Sequence, residues 1–298
     1  MAILLPAIVP VALIILVGFI AGHTLALDRR TLSRLSLYVL LPALIASSLY
    51  NITLTAERAL LIVLGFFLVS ALLYGLVYGL CQVTKTPPLR RKTLLATTLF
   101  ANTGNLGLPF ITFALGQTGL ERAIVYLVSS SILLTTVGPT LLKGAGLAIG
   151  LRTTLKLPVF WAMVVGLALQ ALAITLPLRL DEGVALLGGA AIPVALVTLG
   201  MQLANTQFYL DHSVLIAAAL RLLLAPAIAG AIGTAIGLEG QDLQVLVLQG
   251  AMPTAVNTFI WATEFGGDAD LVARAIVLST LLSFITLPSI LWALLMFT

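Results

Sequence analysis

Charge is scarce in this sequence. Only 9% of its 298 residues are Asp, Glu, Lys or Arg, against 60% that are hydrophobic. A soluble domain of that size would have almost no polar coat, so that class is excluded. Cysteine is nearly absent too: Cys81 stands alone, which excludes an internal disulfide and a thiol metal site. The two histidines, His23 and His212, lie near the ends of apolar stretches and read as interfacial. No His, Cys and carboxylate cluster has metal-ligand spacing, and no nucleophile–base pair recurs. No metal, no cofactor and no catalysis are therefore expected.

Membrane-length apolar sequence fills the chain instead, with a mean hydropathy of +1.16. A bilayer core needs about 20 apolar residues per helix. Ten such stretches occur, near 3–21, 32–50, 59–82, 93–116, 121–142, 155–176, 183–203, 213–236, 242–264 and 272–297. An all-α integral membrane protein of ten transmembrane helices is expected. The first stretch lacks a basic leader and reads as a retained span. With both termini outside, the inner loops hold Arg29, Arg30, Arg34, Lys85, Arg90, Arg91, Lys92, Lys143, Arg152, Lys156 and Arg274, and the outer loops only Arg58, Arg122 and Arg179. That imbalance follows the positive-inside rule. The pI near 9.5 then reports topology and attraction to an anionic lipid bilayer, not nucleic acid.

Two of the ten stretches cannot be continuous helices. In Ala101-Asn102-Thr103-Gly104-Asn105-Leu106-Gly107-Leu108-Pro109, the glycines and Pro109 break the hydrogen-bond ladder while Asn102, Thr103 and Asn105 bring polar groups to the break. A second break follows at Ala251-Met252-Pro253-Thr254-Ala255-Val256-Asn257. Irregular backbone at membrane depth is tolerated only where protein buries it or a cavity borders it. Counting about 1.5 Å per residue from Lys92 and from Asp242, both breaks fall about 15 Å deep, near the midplane.

The breaks are evenly offset. Ala101 to Pro253 and Asn105 to Asn257 are each 152 residues apart (253 − 101 and 257 − 105). Leu5-Pro6 recurs as Leu157-Pro158 and Arg122-Ala123-Ile124-Val125 as Arg274-Ala275-Ile276-Val277 at the same offset, and Leu41-Pro42-Ala43 as Ile192-Pro193-Val194 one residue short of it. Five spans per half is an odd number, so the halves enter the membrane in opposite senses: a 5+5 inverted repeat with broken crossover helices in spans four and nine. Residues 1–142 form the first repeat, 143–154 a cytoplasmic connection and 155–298 the second repeat.

The two broken segments resemble the crossover helices of the auxin efflux carrier family of membrane transporters. The resemblance extends over essentially the whole chain, since the ten spans and short central loop are similar to the family's bacterial members. It implies a fold shared with bile acid/sodium symporters, with a scaffold domain from spans 1, 2, 6 and 7 and a transport domain from spans 3–5 and 8–10. It also implies a homodimer in the inner membrane that moves small organic anions such as malate, malonate or auxin. The chain departs from the plant pattern by Ala101, where those members carry proline. It departs from the sodium symporters in having no acidic residue from 249 to 261, which argues against sodium coupling of that type.

The expected substrate-binding residues are Asn102, Thr103, Asn105, Thr254 and Asn257, with Gln249 one turn before Pro253. Buried amides donate to a carboxylate without leaving a permanent charge in the membrane. Ala101, Gly104, Gly107, Pro109 and Pro253 shape the crossover backbone. Arg221 is the one basic residue well inside a span; it and Glu264 are candidates for a charge role in transport, beside the favoured expectation that Arg221 snorkels to the inner surface or pairs with Glu264. Glu264, Asp268 and Asp270 read as an inner loop. Ser129, Ser130 and Ser131 read mainly as helix-packing hydroxyls. The function expected is alternating-access transport of an organic anion, with an ion-coupled symporter of the same fold as the nearest rival and a non-transporting receptor as the rival of another class.

Overall fold

The computed structural model describes residues 4–143, 152, 154–204 and 211–297. The connection expected at 143–154 lies almost wholly outside them. Among the described residues there is no strand, only an isolated antiparallel bridge between Ala101 and Thr254. The helices in order are α1 (Leu4–Thr24), α2 (Arg29–Leu35), α3 (Leu41–Tyr50), α4 (Ala56–Val83), α5 (Pro88–Leu99), α6 (Leu108–Lys143), α7 (Pro158–Ala171), α8 (Leu180–Gly189), α9 (Ala191–Ala204), α10 (His212–Ala219), α11 (Ala225–Ala235), α12 (Gly240–Gly250), α13 (Asn257–Phe265) and α14 (Ala269–Phe297).

Seven helical runs among the described residues are long and apolar enough to cross a membrane. The difference from ten has local causes. α5, α12 and α13 are short because the breaks at 100–102 and 251–256 divide two spans. α6 is two helices in one, turned at Gly116, whose φ of 71° glycine adopts without a Cβ clash. α7 has only 14 residues.

Among the described residues, three π-helical turns interrupt the helical runs, at Ser36–Leu40, Thr103–Gly107 and Leu220–Leu224. Each ends two residues before a proline: Pro42, Pro109 and Pro226. Proline has no N–H for the carbonyl one turn back, and its ring crowds that carbonyl. A widened turn absorbs both effects, and such turns recur at functional sites.

Glycine sets the closest helix contacts. A Cβ on Gly18 of α1 would lie 2.2 Å from the Val197 carbonyl oxygen, and one on Gly200 of α9 would lie 2.1 Å from that of Ile15. Gly166 of α7 meets Ala46 and Gly188 of α8 meets Leu44 in the same way, both on α3. α1, α3, α7, α8 and α9 thus pack backbone to backbone, the small-residue contact typical of membrane helices.

At the end assigned by its few charges to the outside, Asp242 pairs with Arg122 at 2.5 Å and Arg58 at 3.0 Å. At the other end Arg274, 152 residues after Arg122 (274 − 122), pairs with Asp211 at 2.6 Å and Asp270 at 2.8 Å. Asp211 also caps α10 through the Ser213 and Val214 N–H groups. Burial pushes its carboxyl up, but those two donors and Arg274 pull it further down, to below the usual carboxylate value.

Candidate functional site

α5 stops because Phe100 turns extended, with φ −97° and ψ 97°. α12 stops at Gly250, three residues before Pro253. The two interrupted strands of backbone then satisfy one another. The Asn102 N–H donates to the Pro253 carbonyl at 2.7 Å, and the Ala255 N–H donates to the Phe100 carbonyl at 2.8 Å. Thr254 is fully buried; its hydroxyl donates to the Thr97 carbonyl at 2.9 Å and its N–H to Ser279 Oγ at 3.1 Å. Backbone groups that would be orphaned in lipid are thereby paired inside the protein.

Arg221 completes the arrangement. It is 2% exposed, so it does not snorkel, and among the described residues it makes no ion pair with Glu264 or any other acid. Its guanidinium donates through Nε to the Met252 carbonyl at 2.8 Å, through one terminal nitrogen to the Thr98 carbonyl at 2.6 Å, and through the other to the Gly250 carbonyl. Both structural roles expected of it are therefore replaced by a third, in which it caps the carbonyl ends of α5 and α12.

Beside the paired breaks lies a cavity of about 80 Å³ bordered by Ala101, Asn102, Thr103, Gly104, Asn105, Ser130, Ser131, Val256 and Asn257, with Leu37, Leu41, Leu127, Leu134 and Ala255 closing it. Leu37, Leu41, Asn105, Val256 and Asn257 also border a larger cavity of about 320 Å³, whose other walls carry Arg30, Ser33, Arg34, Tyr38, Thr198 and Glu264. The pair forms a small chamber of mixed polar and apolar lining next to a wider vestibule with two arginines and one glutamate. That vestibule sits at the end which the basic loops assign to the inside.

Four of the six expected substrate residues border the chamber: Asn102, Thr103, Asn105 and Asn257. The other two do not. Thr254 is engaged by Thr97 and Ser279, as above. Gln249 is fully buried against Gly107, where a Cβ would come within 2.3 Å of its Oε1. The serines divide as well: Ser130 shares a 3.0 Å hydrogen bond with Thr103 and Ser131 faces the chamber, whereas Ser129 borders a different cavity. Among the described residues, Asn102 Nδ2 and Gln249 Oε1 at the two breaks are buried without a hydrogen-bond partner. Pro109 follows the widened turn at 103–107, and Pro253 contributes its carbonyl to the bridge.

Arg30 and Arg34 count only toward orientation in the sequence, and Glu121 carries no motif of its own there. Glu121 is 3% exposed and accepts from the Thr53 N–H at 3.0 Å and hydroxyl at 2.9 Å, tying the loop before α4 to α6. Its position beside Arg122 was the available signal.

Comparison with known proteins now adds to this geometry. The family described as Membrane transport protein matches residues 3–291. This chain belongs to the auxin efflux carrier family of membrane transporters. It is 30% identical over 301 residues, 96% of each chain, to a protein of Methanothermobacter thermautotrophicus named as an uncharacterized transporter. It is 28% identical over 180 residues to the transporter YfdV of Escherichia coli, covering 58% of this chain and 57% of that one. It is 26% identical over 139 residues to the probable auxin efflux carrier component 3b of Oryza sativa subsp. japonica, covering 44% of this chain and 24% of that one. A carrier of this family is a multi-pass membrane protein that moves a small molecule, and the paired breaks lie in its matched region.

Proposed function

We propose that this carrier moves small organic anions, carboxylates in the first place, by alternating access through the chamber beside the paired breaks. The observation that supports this most is the meeting of two helix starts, at Thr103 and Asn257, on one chamber that also carries Asn102, Asn105 and Ser130, next to an arginine-bearing vestibule. Helix starts present free N–H groups and a partial positive charge, which suit a carboxylate. The amides of Asn105 and Asn257 would donate to it, with Asn102 and Thr103 behind them, and Arg30 and Arg34 would raise the local anion concentration at the mouth.

In this reading the chain has ten spans in a 5+5 inverted repeat, with both termini outside the inner membrane. The backbone-close packing of α1, α3, α7, α8 and α9 supports their grouping as a scaffold, against which the rest would move as a transport unit. A homodimer through the scaffold is part of the same reading. The site moves with the unit, and an open vestibule at the inner end corresponds to the inward-facing state. Sodium or proton coupling is not required, and an interior-negative potential would favour export of an anion, by about 2.3 kcal/mol per charge at 100 mV. Glu264 on the vestibule wall favours one alternative, a proton-coupled carrier that uses the same chamber.

Counterflow in proteoliposomes with labelled mono- and dicarboxylates tests the reading. Asn105→Ala and Asn257→Ala should each weaken apparent affinity about 10- to 150-fold, the worth of a charge-assisted hydrogen bond of about 1.5–3 kcal/mol. Wild-type affinity in both folded variants would reduce these amides to backbone caps. Accumulation driven by a pH gradient at zero potential would select the proton-coupled alternative.

A further inference from the structure

We infer that the carbonyl oxygens of Thr98, Gly250 and Met252 form a cation site whose resident occupant is the Arg221 guanidinium, so that the paired breaks need no bound metal cation.

Thr98 and Gly250 lie in the last turns of α5 and α12, where helix carbonyls lack intrahelical partners and the dipole is partly negative. Brought together at membrane depth, two such ends repel one another unless a cation lies between them. The two residues are 152 apart (250 − 98), the offset of the breaks themselves, so the guanidinium bridges equivalent points of both repeats. Three separate nitrogens meet three separate carbonyls, which a rigid planar fork can do and one point charge does less well. The side chain is buried and forms no ion pair among the described residues, so these carbonyls are what offsets its desolvation. Its helix widens at Leu220–Leu224, the turn that carries Arg221 toward both ends.

A ring of carbonyl oxygens is also what coordinates a dehydrated alkali cation. Truncating Arg221 would therefore leave an empty oxygen cage at the junction of the two breaks, open to guanidinium or sodium. This holds whichever substrate the carrier moves, because the readout is stability and not flux.

The test uses purified full-length protein in detergent, with Tm followed by intrinsic fluorescence. Wild type, Arg221→Ala and Arg221→Met are compared in choline chloride, in sodium chloride and in choline with millimolar guanidinium, all at one ionic strength. The wild-type Tm should be the same in all three media. Both variants should melt lower in choline and regain most of the loss with guanidinium or sodium. Equal melting in all media for the variants, or a sodium response in wild type as large as theirs, would overturn the assignment. Should neither variant fold in any medium, Arg221→Lys decides. A folded lysine variant indifferent to sodium upholds a resident cation, and one as unstable as the truncations overturns it.

Discussion

Gly107 and Gln249 show how narrowly one residue can be specified across the two breaks. No Cβ fits at 107 while the Gln249 amide stands where it does. Gly107→Ala should cost about 1 kcal/mol, the low end of overpacking because only the far end of the Gln249 side chain opposes it, and adding Gln249→Ala should recover much of that loss because it removes the opposing atoms. A thermal-melt double-mutant cycle measures the coupling; additive effects would place the strain elsewhere. Residues of this kind were only partly legible. Asn105 and Asn257 could be found because an amide beside a helix break in an apolar run has few roles. Thr254 and Gln249 sit at similar depth and carry similar chemistry, yet one faces Thr97 and Ser279 and the other Gly107. Which way a side chain turns at an irregular segment depends on its partner segment, and periodicity does not encode that. Arg221 failed for the same reason. A lone arginine in a span invites a search for an acid, whereas the carbonyls that hold it carry no sequence signal at all.

At the level of helices, the breaks were readable from glycine, proline and asparagine, and so was their equal spacing. The widened turns before Pro42 and Pro226 were not foreseen, although the prolines were in plain view, because a proline can kink, end or widen a helix and the neighbours decide. The turn at Gly116 joined two expected spans into one helical run. Close packing of α1 on α9 rests on Gly18 and Gly200, which a composition count cannot distinguish from any other membrane glycine. Gly200→Val should separate these helices and lower stability by about 1–3 kcal/mol or more, seen as a fall in Tm. Gly183→Val, where a Cβ meets nothing within 4 Å, should change it little. Similar losses at both positions would deny α1 and α9 their special contact.

For the molecule as a whole, the orientation proposed from the basic residues and the side to which the vestibule opens are tested together. After Cys81→Ser, single cysteines at Thr118 and Glu239 should react with a membrane-impermeant thiol reagent from outside, and a cysteine at Arg30 from inside. The reverse pattern would invert both the topology and the side to which the vestibule opens.

Arg221 is held by α5 and α12, the helices that frame the breaks, so its charge goes wherever they go. Under the alternating-access mechanism proposed above, a bound monoanion would offset the charge of Arg221 at the breaks, and an empty site would leave that charge unbalanced there. In that mechanism membrane voltage would act mainly on the empty return stroke, drawing the vacant site back toward a negative interior. Delivery of a monoanion would pass almost without current, while a dianion would leave the loaded body negative and make both strokes electrically active.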